Sequence, residues 1–306
     1  MASASELIAR IQRIVQDRSF EPEDILDYIN RGIQEIAQGM MVYYPDGTQV
    51  LSEPLPDLVT SYELTSSTSY PYVSLPTDFG RDLLQVTNDS QNNTTVEIFD
   101  SFDEFLSYYP GMSLTSQVFA CCPQAGNLYY QGMPSTADTL TVWYHSIPAT
   151  ITADRTYRAS TISFASDTKR IADSGNGLGS FQADDEIAVT IYGNTAHRNQ
   201  KHVTVASVAG DGSYIVVNEP LVTQAAGNEV CLFCANDEPE GIPSHLQDPL
   251  LVNYAAWKIL ELQLDGADGA VAADKKKAEF NAQMIVLDRA SWRDKEPFRM
   301  EAWRRD

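Results

Sequence analysis

The chain is poor in positive charge: 21 lysines and arginines stand against 42 aspartates and glutamates, for a net charge of −21. A surface so acidic repels phosphate and excludes a protein that coats or reads nucleic acid. Histidines and cysteines number four each. Of the cysteines, Cys121 and Cys122 are adjacent, while Cys231-Leu-Phe-Cys234 has the spacing of zinc and redox sites. That motif lies in a strand-like segment, Glu229 to Ala235, where side chains three apart point to opposite faces. Buried free thiols are therefore favoured over a zinc site or a disulfide, and no histidine is close enough in sequence to change the balance. No run approaches the ~18 apolar residues of a membrane-spanning helix. No positively charged start followed by an apolar core opens the chain. The expectation is a protein made and kept in the cytosol until assembly, with no membrane partner. A G-x-S-x-G elbow, an H-E-x-x-H pair and a P-loop are all missing. The chain is thus expected to be no enzyme and to carry no metal or cofactor.

Weaker chemical candidates have plain readings. Asp184-Asp185-Glu186 is a carboxylate cluster of the type glycoside hydrolases use, yet among 42 acids one such triplet at a strand entrance reads better as a solvated turn. Asp265, Asp268 and Asp274 lack the ligand ladder of an EF-hand. The Gly175-Asn-Gly-Leu-Gly179 loop is not followed by a helix, as a phosphate cradle would be. Asn88, Asn92 and Asn93 begin chance glycosylation sequons in a polar loop.

The chain does contain amphipathic helices at both ends. Ser3-x-x-Glu6 is a capping box ahead of Leu7, Ile8, Ile11, Ile14 and Val15 in helical register. A second helix opens at Pro22, carries Ile25, Leu26, Ile29, Ile33 and Ile36 inward, and ends at Gly39. Gly32 inside it marks close packing against another helix. Near the other end, Leu246, Leu250, Tyr254, Trp257, Leu260 and Leu264 recur along one face. Asp248 as N-cap with Pro249 as first helical residue competes with a capping box of Ser244 and Gln247. Asp265 to Gly269 reads as a turn into a further helix with Val271, Phe280, Met284 and Leu287 inward. Helices this short are marginal alone, so the economical solution packs the two ends together.

Between them the chain turns to tyrosine, serine, threonine and proline, with short strands around Thr60–Leu64, Tyr72–Leu75, Leu83–Val86, Val96–Phe99, Asn127–Tyr130 and Leu140–Tyr144. Ser101–Tyr109 is a short helix within them, capped by Ser101 and stopped by Pro110. From Thr161 to Ala235, five alternating strands separated by glycine turns suggest a small barrel or sandwich. The fold class is α+β. It divides into N-terminal helices (1–42), a β-rich insertion (43–150), a small β module (151–235), C-terminal helices (236–293) and a tail (294–306).

Glu6-Leu-Ile-Ala-Arg-Ile-Gln-Arg-Ile-Val15 with Ile25-Leu-Asp-Tyr-Ile-Asn-Arg-Gly-Ile-Gln-Glu-Ile36 resembles the start of head-to-tail adaptor (head completion) proteins of tailed bacteriophages. So does Ile242-Pro-Ser-His-Leu-Gln-Asp-Pro-Leu-Leu-Val-Asn-Tyr-Ala-Ala-Trp257 with the alanine- and lysine-rich helix after it. The segment from Ile162 to Val230 is similar to a β module inserted in several phage virion proteins; it keeps Phe181, Asp185, Ile187 and Val189, but has Asp184 where glycine is more usual.

This resemblance implies a bundle of terminal helices with strands inserted. It further implies a ring, commonly of twelve subunits, seated under the portal protein at the head-to-tail junction of the virion and joined below to the next tail component. DNA would pass through the channel without specific binding, and an acidic wall would limit sticking. Ser291 to Asp306 sets Trp292, Phe298 and Trp303 among Arg293, Lys295, Arg299, Arg304 and Arg305, residue types that dominate interface energies, and is expected to dock on the portal. A tail-tube or nozzle subunit is the neighbouring alternative. A cell-wall hydrolase working through Asp184, Asp185 or Glu186 is a more distant one.

Overall fold

A computed structural model describes residues 2–15, 20–44, 46–52, 55, 58–112, 114–193, 198–262 and 267–295. They form two compact units, one drawn from Met1–Glu35, Met40–Ser52 and Thr150–Asp306, the other from Ile36–Gly39 and Glu53–Ala149. In the first unit, α1 (Ala4–Val15) buries Leu7, Ile8, Ile11 and Val15. Ser3 accepts the Glu6 amide (3.2 Å), while the Glu6 carboxylate turns to Arg10, so only half of the capping box forms. Helix α2 (Pro22–Gln38) begins at its proline, buries Ile25, Leu26, Ile29, Ile33 and Ile36, and ends where Gly39 takes a φ of +86° that a side chain would resist. A hairpin of β1 (Met41–Tyr43) and β2 (Gln49–Leu51) follows, closed by the Tyr44–Thr48 turn.

The second unit consists of two four-stranded sheets over a shared core. Its elements are β3 (Val59–Thr65), β4 (Tyr72–Ser74), β5 (Phe79–Asn88), β6 (Thr94–Thr95), β7 (Glu97–Ile98), α3 (Phe102–Tyr108), β8 (Ala120–Gln124), β9 (Asn127–Tyr130) and β10 (Thr139–Ser146). The sheet orders are β3-β10-β5-β6 and β4-β9-β8-β7, antiparallel throughout except for β7 with β8. Leu64, Val86, Leu140, Val142 and Tyr144 of the first sheet meet Cys121, Leu128 and Tyr130 of the second. Cys122, one residue on, points to the other face, where Phe99 and Phe105 cover it, as the two-residue period of a strand requires. Ser101 caps α3 through the Glu104 amide (3.4 Å). Asn88 departs from expectation: it is fully buried and donates to Val118 and Asp138, both at 3.0 Å, so it braces the core rather than decorating a loop.

The module after residue 150 is a single sheet of β11 (Arg155–Ala159), β12 (Ile162–Ala165), β13 (Arg170–Asp173), β14 (Glu186–Ile191), β15 (His202–Val208), β16 (Tyr214–Val217) and β17 (Val230–Cys234). Its order is β11-β17-β14-β15-β16-β13-β12, open at both ends, so the barrel expected from the sequence does not close. The edge strands β11 and β12 are nevertheless consecutive in the chain, separated only by Ser160 and Thr161. The sheet must therefore roll until its edges almost meet, helped by a bulge in β15 between Val205 and Ser207. One core lies inside the roll, with Phe164, Ile171, Val189, Val205, Ile215 and Leu232 at its heart.

The chain then forms α4 (Ser244–Gln247), a π-helical turn (Asp248–Val252), α5 (Asn253–Leu262) and α6 (Ala267–Lys295). The helix thus starts a turn earlier than a cap at Asp248 requires, with Pro243 as N-cap and no side-chain capping bond from Ser244. Pro249 sits inside; it cannot donate to the preceding turn, the helix widens there, and Asn253 Nδ2 takes up the Pro249 carbonyl (2.7 Å). Ala267, Asp268 and Gly269 belong to α6 rather than to a turn, and Leu264 lies outside the described residues. α5 packs on α6, and α1 packs on α5, the π turn and β14. Gln12 of α1 bonds Thr190 (2.7 Å) and Ser5 accepts the Ala235 amide (2.8 Å). Gly32 of α2 lies so close to Tyr254 that an added Cβ would stand 2.8 Å from the ring.

Candidate docking surfaces

The carboxylate triplet is structural. Asp185 is buried and takes Arg155 Nη1 on both oxygens (2.7 and 2.8 Å), the Gln182 amide (2.7 Å) and Asn236 Nδ2 (3.1 Å). Glu186 accepts the Ser3 hydroxyl and lies 3.3 Å from His202 Nε2. Asp184 stands in an exposed turn as read from the sequence, Glu186 is half-buried, and Asp185 departs from that reading as one half of a buried ion pair. Asp184 has a φ of +70°, the left-handed region glycine tolerates best.

Cys231 and Cys234 are free and buried in β17; Cys234 joins the core while Cys231 lies opposite Arg158. Burial pushes both thiols up to about 12. Among the described residues no group of three or more histidines, cysteines and acids could hold a metal ion. Gly175–Gly179 wraps a buried carboxylate of the chain itself: Asp173 accepts the Gly175 and Gly177 amides (3.1 and 2.8 Å), the Tyr157 hydroxyl (2.7 Å) and the Thr161 hydroxyl. Burial alone would raise this carboxyl, but the hydroxyls of Thr161 and Tyr157 and the amides of Gly177 and Gly175 lower it to about 2.

Of the expected docking arm, Trp292 and Arg293 fall in α6, with side chains outside the described set; Phe298, Arg299, Trp303, Arg304 and Arg305 lie outside the described residues.

Three other surfaces present interface chemistry. In the second unit, aromatic rings run in contact from Tyr70 through Tyr72 and Tyr129 to Phe102 on α3, with centroids 5.7, 5.3 and 4.9 Å apart. The row continues through Phe105 and Tyr109 to Phe119, and Tyr70, Tyr108 and Phe119 stand 60, 65 and 45 % exposed. Half-exposed tyrosine is the commonest currency of protein recognition, a rigid apolar ring with a polar tip. The tyrosine-rich composition hinted at it, but only the fold lines the rings up.

In the first unit, the outward side of α2 is acidic. Phe20, Asp24, Asp27, Tyr28 and Arg31 line a shallow groove of about 310 Å³. Glu21, just before α2, accepts from both Arg158 of β11 and the Tyr192 hydroxyl, and the Arg158 guanidinium sits 4.8 Å from the Tyr192 ring centre. The third surface is the α5–α6 pair, which holds five of the chain's seven lysines, at 258, 275, 276, 277 and 295. Lys258 and Lys277 lie over the Trp257 ring at 4.1 and 5.1 Å, and Lys276 bonds Glu279 (2.7 Å) and Asn253 (3.1 Å). Val271, read as inward from the sequence, is 68 % exposed, because α6 turns Ala273, Phe280, Met284 and Leu287 to its neighbours instead.

A family model described as SU10 adaptor protein matches residues 2–171, more than half of the chain. No curated protein matches it. No helix among the described residues is long and apolar enough to cross a membrane.

Proposed function

The chain belongs to the SU10 adaptor protein family of bacteriophage structural proteins, and on that premise we propose that it forms a ring, of about twelve copies, at the neck of the virion. The ring binds the portal protein above and a tail protein below, and DNA leaves the head through its channel. The family match over residues 2–171 is the observation that carries this reading. Two physical features support it. The net charge of −21 gives DNA no adhesive wall to cross. The contacts of α1 and α2 with α5 favour a bundle of terminal helices in each subunit.

In this reading the tail from Trp292 and Arg293 through Phe298, Arg299, Trp303, Arg304 and Arg305 is the portal-docking arm, where aromatic and arginine anchors stand in a chain otherwise acidic. The test mixes purified protein with DNA-filled, portal-bearing heads and with particles lacking the portal. Binding to the first alone, imaged as a ring below the portal, is the expected result; equal binding to both, or none, overturns the reading. Deleting Pro297 to Asp306 should leave a folded protein that no longer joins the heads. Unchanged binding of the truncated chain would eliminate the arm.

A further inference from the structure

We propose that the outward face of α6 seats in the acidic groove of α2 on a second copy of this chain, so that copies join head to tail. Helix α6 is apolar on two opposite sides. At about 100° per residue, Ala273, Phe280, Met284 and Leu287 fall on one side, and all are buried. Val271, Ala278, Ala282 and Val286 fall on the opposite side, and all are exposed, the two valines by 68 and 48 %. Lys275, also exposed, stands in the middle of that stripe. A surface helix with one partner keeps its far side polar; a valine–alanine stripe there matches a second helix approaching closely.

Charge identifies the occupant. The chain carries −21, so copies repel wherever they meet at random, and a lasting contact must bring together its few positive and many negative residues. On the outward stripe of α6 the positive charge is Lys275, whereas Lys276 is held by Glu279 and Asn253 and Lys277 lies over Trp257. The α2 groove offers the complement: Asp24 and Asp27 line it and are exposed, beside Arg31 in the same lining, Glu23 is exposed next to them on α2, and Phe20 and Tyr28 give apolar walls for the valines. The two faces differ and belong to one unit, so the contact is heterologous: each copy uses α6 toward one neighbour and α2 toward the other. Only the closing of such a chain into a ring rests on the adaptor reading.

The experiment measures assembly of the full-length protein by sedimentation velocity over a concentration series. Lys275→Glu, and separately Asp24→Lys with Asp27→Lys, should raise the concentration of half-assembly by ~100-fold. Val286→Glu should do the same. The chain carrying all three charge reversals should recover assembly, since each contact is then restored with opposite sign. All of these positions are exposed, and circular dichroism checks that each variant folds. A wild-type chain that stays monomeric, reversals without effect, or a combined variant that does not recover would each overturn the contact. So would a Lys275→Glu chain that assembles normally but no longer binds portal-bearing heads, which would assign the α6 face to the portal. Wild-type binding to heads in any of these cases leaves the adaptor reading standing. Assembly through this contact with no affinity for heads would overturn that reading alone.

Discussion

Replacing Asp173 by asparagine tests how the rolled sheet is held at its seam. Asp173 ends β13, 2 % exposed, and its carboxylate gathers Tyr157 from β11, Thr161 from the β11–β12 junction and the amides of Gly175 and Gly177. One charge thus joins both edges of the open sheet to the loop that crosses them. With the folded carboxyl lowered to about 2, against an ordinary value near 3.8, the charged form is worth ~2 kcal/mol to the folded state. Because the folded value is depressed, this contribution is complete above about pH 4 and is lost as the pH falls toward 2. Asparagine keeps the shape but turns an amide toward groups that are themselves donors. The readout is hydrogen exchange at the Leu178 amide, which bonds Gly212 (3.1 Å) and not Asp173, and so reports loop opening without losing its own acceptor. Exchange in Asp173→Asn should be ~30-fold faster than in wild type at pH 7. The ratio should shrink toward one as wild type is acidified. A ratio near one at neutral pH, or one that does not move with pH, would refute the assignment of seam stability to this carboxylate.

Gly32→Ala should lower the melting temperature, because the new methyl meets Tyr254 at 2.8 Å and overpacking costs ~1–3 kcal/mol. Helix propensity alone would stabilise by ~1 kcal/mol, so the sign of the change decides whether α2 and α5 are in tight contact. Arg155→Met strands the buried Asp185 charge and should cost ~3 kcal/mol in urea titrations; adding Asp185→Asn should return part of it, and a variant as stable as wild type would contradict the pair's role. In the folded protein, Cys121, Cys231 and Cys234 are buried thiols pushed upward, so iodoacetamide at pH 8 should leave them unmodified until denaturant is added. Alkylation at the rate of free cysteine would show that these strands open.

The helices and most strands were legible because each buries a face with a fixed period. The isoleucines of α2, the two-residue alternation of β10 and β14, and the Ser101 cap of α3 are local facts written in neighbouring residues. Gly32 was legible too, as a position needing room, though not what would fill it. The strands β1, β2, β6, β8, β11 and β13 were missed; β1, β2 and β6 are only two or three residues long, Ala120–Gln124 contains a proline, and the arginines of Arg155–Ala159 and Arg170–Asp173 mask their alternation. Of the two starts the sequence left open for the C-terminal helix, the structure takes the earlier, at Ser244, and a π turn absorbs Pro249.

Acidity, terminal amphipathic helices and a sheet-rich middle were determined by the sequence itself, since composition and periodicity act over a few residues at a time. Tertiary structure alone decided that Asp185 is an ion-paired anchor and not a solvated turn, that Asp173 ties a nearly closed roll, and which side of α6 is left outward. Those outcomes depend on residues far apart in the chain arriving at one place, where burial and charge take their values from the company that folding assembles.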